Sequence, residues 1–263
     1  MDRQSRYAGW HYRCGASLFA VWSQASRECK RSEGRAAVSV SQVIPSPRTT
    51  GDARDRILRY TLVERINHWI AGLSYIYCLI TGLAFWSPYM FWMAIIVGGG
   101  PAARFWHPWF GLVFTASVLW MYRIWRSDMV TTDADRAWWK AAKYYIRNED
   151  ENLPPIGRFN YGQKMFFWLM FYGATLLALS GFALWFFESI PWSLRWLRYL
   201  AVAVHVAAGF ATIGGFIIHV YMGTAMVRGG FTSIVRGEVS SAWAKTHHRL
   251  WYEQVTKKTS GQK

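Results

Sequence analysis

The chain has 263 residues, of which 52% are hydrophobic, 18% aromatic and only 17% charged. Soluble domains carry about a quarter charged residues, so this composition excludes both an ordinary soluble domain and a disordered chain. The net charge of +15 is poor support for a nucleic-acid partner, because hydrophobic runs dominate and no basic groove motif is present. The 17 tryptophans suit a chain that meets two membrane–water interfaces. Cys14, Cys29 and Cys78 form no CxxC pair, which argues against a disulfide framework, a zinc site or an iron–sulfur site.

Residues 1–55 are polar, Arg-rich and without periodicity, which predicts a flexible extension. Their apolar patch, 16–22, is too short for a secretory signal. A helix needs about 20 apolar residues to cross a bilayer. Four runs free of Asp, Glu, Lys and Arg approach or exceed that: 66–86, 105–122, 165–187 and 199–227. Residues 89–97 lie between Pro88 and the Gly98-Gly99-Gly100-Pro101 breaker. They are too short to cross and predict an interfacial or re-entrant piece. Around 135–147, Trp138, Trp139, Tyr144 and Tyr145 stand beside Lys140, Lys143 and Arg147, a pattern that suits a surface helix in the headgroup layer. The expected architecture is an all-α membrane protein: a four-transmembrane-helix bundle over 56–255, with a polar tail at 256–263.

The basic residues predict direction. Residues 1–65 hold 12 Lys and Arg, the connection 123–164 holds eight and the tail from 228 holds seven. The other two connections hold Arg104 alone, and the pair Arg195 and Arg198. An even number of spans puts both termini on one side, and the positive-inside rule makes that side the cytoplasm. The expected chain is multi-pass, with both termini on the cytoplasmic side.

Of seven histidines, His11, His247 and His248 lie in basic flanks and are expected to be solvated. His68, His107, His205 and His219 lie in or at the ends of spans, where polar groups are costly and usually functional. The topology sets His68 and His219 toward the inner side, and His107 and His205 toward the outer side. His205 and His219 are 14 residues apart, about 21 Å along a helix and about 40° short of four full turns. Both therefore face nearly one side at two depths. Neutral imidazoles on facing helices supply both axial ligands to haem iron. The reading is two b-type haems, held by His68 and His219 on the inner side and by His107 and His205 on the outer side. Each of these histidines has a glycine four residues later, Gly72, Gly111, Gly209 and Gly223, one turn away on the same face. A missing side chain there would let a flat macrocycle approach the backbone. The simpler alternatives are helix packing for the glycines and a proton relay for the histidines, as in a haem-free transporter.

Several segments carry a family resemblance. They are Arg65-Ile66-Asn67-His68-Trp69, His107-Pro108-Trp109-Phe110-Gly111, Phe159-Asn160-Tyr161-Gly162-Gln163-Lys164, His205-Val206-Ala207-Ala208-Gly209 and His219-Val220-Tyr221-Met222. The tail Trp243-Ala244-Lys245-Thr246-His247-His248, with Trp251-Tyr252, adds to them. Over about 56–255 the chain resembles the cytochrome b556 (gamma) subunits of respiratory formate dehydrogenases, within the Ni-hydrogenase and b561-type dihaem cytochromes b. The extension 1–55 and the hydrophobic insertion 89–97 depart from the compact family pattern.

The resemblance implies a role in electron transfer. A periplasmic catalytic (alpha) subunit oxidises formate at molybdenum or tungsten, and an iron–sulfur (beta) subunit passes electrons to the outer haem. The inner haem then reduces a membrane quinone, ubiquinone or menaquinone, near the cytoplasmic face. With no cluster motif and no molybdopterin domain, the chain would not oxidise formate itself. Arg104, Glu188, Arg195 and Arg198 would face the iron–sulfur subunit. The equivalent cytochrome b of a Ni-Fe hydrogenase, or of another periplasmic dehydrogenase, is the nearest alternative. Asn160, Gly162 and Gln163 have two readings: a helix start with Asn160 as N-cap, or, as the family implies, a quinone pocket of amide donors beside the inner haem.

Overall fold

The computed structural model describes residues 55–147 and 149–260. The chain divides into residues 1–50 and 51–263, so the extension expected at 1–55 lies almost wholly outside the described residues. Strand β1 (Arg56–Leu58) leads into helix α1 (Leu62–Trp86). After a short α2 (Trp92–Ile96) comes α3 (Gly100–Trp125), then α4 (Asp133–Lys140) and α5 (Ala142–Ile146). The long α6 (Tyr161–Trp185) and α7 (Trp196–Tyr221) follow, and α7 ends in a π-helical turn at Met222–Met226. The tail forms α8 (Gly230–Arg236), β2 (Glu238–Ser240), α9 (Ser241–His247) and α10 (Arg249–Ser260).

Among the described residues, three helices are long and apolar enough to cross a membrane: Leu62–Trp86, Tyr161–Trp185 and Trp196–Met226. The fourth long helix, α3, has 26 residues but carries Arg104 and Arg123 near its ends. The helices start several residues before the charge-free runs, and for α1 and α6 capping chemistry rather than charge decides where the helix begins. Thr61 caps α1 in a reciprocal box with Glu64, which places Glu64 and Arg65 inside the helix. Asn160 does the same for α6 with Gln163.

Packing runs pairwise: α1 lies along α3, α6 along α7, and α3 also meets α6. Glycine permits the α6–α7 approach, since a Cβ at Gly173 would overlap Thr212 and one at Gly215 would come within 2.5 Å of Leu169. Ala71, Tyr75, Phe114, Val118 and Ala174 fill the middle of the bundle. There Tyr75 packs its ring against Phe114 and Phe216, at 5.1 and 5.0 Å.

One end of the bundle is charged. Strand β1 pairs antiparallel with β2, Ile57 opposite Val239, so the segment before α1 and the tail after α7 share that end. The connection between α3 and α6 joins them there. Arg158 bonds Glu64 at 2.8 Å, Asp128 at 3.1 Å and the Arg59 carbonyl at 2.8 Å. Trp125 donates to Glu64 at 2.5 Å. These groups are satisfied by one another, which is how charge survives burial. At the far end, α2 tucks its Ala94 against Ala84 and Ala103, and Gly98 and Gly99 take positive φ to turn the chain into α3. The stretch 89–97 is thus a short helical piece between two long helices.

Two surface expectations are corrected. The helix expected over 135–147 is broken at Ala141 into α4 and α5, and Trp138 is buried rather than set in a headgroup layer. Its ring packs on Tyr145. His248, expected to be solvated, is 3% exposed. Arg59 donates to its Nε2 at 3.0 Å, and its Nδ1 donates to the Gly157 carbonyl at 2.8 Å. An arginine only donates and a carbonyl only accepts, so this geometry fixes a neutral imidazole. Burial first, then the Arg59 charge, push His248 well below its ordinary value. His11 lies outside the described residues.

Candidate haem sites

Four histidines enter the bundle from three helices: His68 on α1, His107 on α3, and His205 and His219 on α7. The His68 and His219 rings lie 6.0 Å apart, centre to centre, with planes at 49°. Those of His107 and His205 lie 6.2 Å apart, with planes at 57°. The first pair stands toward the charged end and the second toward the far end. A metal–imidazole bond is about 2 Å, so two rings on opposite sides of one iron have centres about 6 Å apart. Both pairs fit a bis-histidine haem.

The surrounding backbone fits a flat macrocycle as well. A Cβ added at Gly72, Gly111, Gly209 or Gly223 would meet nothing within 4 Å, although all four glycines are partly buried. Most other glycines of the long helices contact a neighbour. Besides Gly173 and Gly215, Gly82 faces His107 Cε1 at 3.7 Å and Gly181 faces His205 Cε1 at 3.2 Å. Gly214 is also open, but it is exposed.

Sequence reasoning missed three contacts to the imidazoles. Thr81 Oγ1 lies 2.6 Å from His107 Nδ1, and Ser180 Oγ lies 3.0 Å from His205 Nδ1. Phe166 stacks on His219 at 4.3 Å, with planes 3° apart. The hydroxyls did leave a trace: each precedes a glycine within an apolar run, as Thr81-Gly82 and Ser180-Gly181. No such partner serves His68, whose buried Nδ1 has no hydrogen bond among the described residues.

The amide box stands at the start of α6, at the charged end of the bundle. Gln163 N donates to Asn160 Oδ1 at 2.9 Å, and Asn160 N donates to Gln163 Oε1 at 3.0 Å. The two carbonyl oxygens therefore serve as a capping box, leaving the amide NH2 groups for other partners. That of Asn160 reaches Tyr145 Oη at 3.4 Å. Gly162 approaches the ring of Trp138. Next in sequence, Lys164 forms a buried pair with Asp135 at 2.7 Å and also donates to the Val130 carbonyl. Burial alone would raise the Asp135 carboxyl, but hydrogen bonds from Lys164 and Thr132, and the Lys164 charge, hold it below its ordinary value. A cavity of about 520 Å³ lies here, lined in part by Asp128, Asp135, Arg158 and Lys164.

Long apolar helices that carry facing imidazoles at two levels define a membrane cytochrome of the b type. The chain belongs to the prokaryotic cytochrome b561 family, whose model matches residues 59–237. It is similar to the formate dehydrogenase cytochrome b556(fdo) subunit of Escherichia coli K12. The two are 38% identical over 208 residues, which cover 78% of this chain and 96% of the relative. The cytochrome b556 subunit of the Haemophilus influenzae formate dehydrogenase is 30% identical, over 76% of this chain and 83% of that one. The nitrate-inducible cytochrome b556(Fdn) subunit of Escherichia coli K12 is 27% identical, over 76% and 92%.

Proposed function

We propose that this chain is the membrane-anchoring dihaem cytochrome b subunit of a respiratory formate dehydrogenase. It would carry electrons from an iron–sulfur subunit, itself bound to a molybdenum- or tungsten-containing catalytic subunit, to membrane quinone. The observation that carries this reading is the pair of imidazole couples, 6.0 and 6.2 Å apart, in a chain whose named relatives are formate dehydrogenase cytochromes. In this reading α3 is the fourth span, both flanks are cytoplasmic and the membrane is the bacterial inner membrane. Arg104, Glu188, Arg195 and Arg198 then lie at the outer face, toward the iron–sulfur subunit.

Haem, when bound, supplies a reversible one-electron carrier at each level. The residues of this chain supply everything else. His68 and His219 hold the inner level, and His107 and His205 the outer one. Gly72, Gly111, Gly209 and Gly223 give the macrocycles room against the backbone. The Tyr75–Phe114–Phe216 cluster keeps water out of the bundle centre between the levels. Gln163 stands one turn from Phe166, the ring stacked on His219, so Asn160, Gly162 and Gln163 border the inner level. Quinone bound there takes up two electrons and two protons to become quinol. Asp135 and Lys164, buried beside the box and lining the adjoining cavity, would hold and pass those protons from the cytoplasmic side.

The test is purification of the intact complex followed by a pyridine haemochrome assay and identification of its subunits. The expected result is two b haems per chain, with an iron–sulfur and a molybdenum or tungsten subunit. Absence of haem would refute the reading and favour a haem-free protein with a histidine relay. Hydrogenase subunits in its place would assign the chain to the other branch.

A further inference from the structure

The two helical hairpins share one device. In the first, Thr81-Gly82 on α1 faces His107 on α3. In the second, Ser180-Gly181 on α6 faces His205 on α7. In each, the glycine brings the ring edge onto the neighbouring helix, at 3.7 and 3.2 Å from where a Cβ would stand. In each, the hydroxyl beside it lies at hydrogen-bonding distance from Nδ1, 2.6 and 3.0 Å. Both hydroxyls also donate to a carbonyl one turn back, Thr81 to Tyr77 at 2.8 Å and Ser180 to Leu176 at 2.6 Å. A hydroxyl has one hydrogen. With that hydrogen on a carbonyl, its oxygen can only accept from the imidazole, and Nδ1 must carry the proton. The remaining nitrogen, Nε2, is then the basic one, the form a metal requires. Thr81 is fully buried and Ser180 nearly so, so water does not compete for either bond.

We infer that Thr81 and Ser180 are positioning residues for the outer haem, fixing the tautomer and rotation of both ligands and lowering the potential of that haem relative to the inner one. This rests on the proposed ligation by His107 and His205. A hydroxyl already donating to a carbonyl is a polarised, stronger acceptor. Accepting the Nδ1 proton raises the basicity of Nε2 and favours ferric over ferrous iron, which lowers the potential. At the inner level the device is missing: His68 Nδ1 is buried without a partner among the described residues, and His219 is held by stacking on Phe166. The asymmetry makes the step from outer to inner level downhill, in the direction the proposed function requires.

The experiment uses the intact complex carrying Thr81→Val, Ser180→Ala or Thr81→Ser. The readouts are haem content, optical redox titration and the ferric low-spin EPR signals. The parent should give two haems and two potentials. Thr81→Val and Ser180→Ala should raise the lower potential and shift one EPR signal, as the freed ring departs from the 57° crossing, while the second signal stays in place. Thr81→Ser keeps the hydroxyl and should restore the parental potential and spectrum. Loss of the outer haem in Thr81→Val but not in Thr81→Ser would support the same assignment. Two haems with unchanged potentials and spectra in all variants would overturn it, as would Thr81→Ser behaving like Thr81→Val. A parent without haem would instead refute the ligation reading itself, a separate outcome.

Discussion

Each of the four histidines sits one turn before a glycine that opens onto space. That is a sequence feature with a structural consequence, because i and i+4 share a helix face. Gly209 and Ala203 make the comparison sharp. Both lie on α7, but a Cβ at Gly209, one turn from His205 on the same face, would meet nothing within 4 Å, whereas Ala203 is exposed on the helix surface. Gly209→Leu should therefore lose most of its outer haem, and Ala203→Leu should keep the parental content, measured by pyridine haemochrome on the purified complex. Equal content in the two variants would make Gly209 a packing residue only. The hydroxyls of Thr81 and Ser180 were less legible. Each is a partner across two helices, and the distance between helices is not written in the spacing along one of them.

At the scale of elements, the charged end is held by buried polar contacts. The Asp135–Lys164 pair pins α4 to the start of α6, with side chains only 3% and 8% exposed. Removing one partner strands a buried charge, which costs about 3–5 kcal/mol, whereas replacing both by apolar residues costs far less. Lys164→Met should thus lower the thermal midpoint of the complex clearly, and Asp135→Leu with Lys164→Met should recover most of it. Thermal melts followed by haem absorbance would read both. The tail is docked by Arg59 and His248, and here the sign of the pH effect follows from the neutral imidazole. Its folded value lies below the ordinary 6.5, so the unfolded state binds the proton more readily. The stability that His248 contributes is complete above 6.5 and is lost as the pH falls below it. Limited proteolysis of the tail should accelerate over that window. His248→Gln, which can still accept from Arg59 and donate to Gly157, should flatten the response.

On the scale of the whole molecule, the proposed function depends on two levels reached from opposite faces. Moving one charge across a 100 mV potential involves about 2.3 kcal/mol, so the separation of levels has energetic weight. Membrane-impermeant thiol reagents should label cysteines placed at 104 and 195 from the periplasm, and those placed at 143 and 245 only from the cytoplasm. Labelling of all four from one side would break the four-span topology. The proposed quinone pocket has a test that spares the fold. Gln163→Glu preserves the capping box, since either side chain accepts at that position, but it removes the amide donors. Quinone turnover should fall while both haems stay bound and reducible by formate. Normal turnover and inhibitor sensitivity would leave the Asn160–Gln163 box as a helix cap alone.

The sequence by itself determined the membrane class, the positions of the long helices and the end of the bundle at which each histidine stands, because hydrophobic length and helical rise are local properties of the chain. It also determined that His205 and His219 share a face, since that follows from the angle per residue. Only the tertiary structure decided that the paired rings approach to about 6 Å, because no local pattern encodes the separation between helices. The same holds for the burial of Trp138 and His248: aromatic and basic flanks read as surface until other segments cover them. The residues that tie the charged end together, Glu64, Arg59, Arg158 and Asp135, come from segments up to 99 positions apart. Their charges look solvated in sequence and find hydrogen-bonding partners only when the fold brings these segments together.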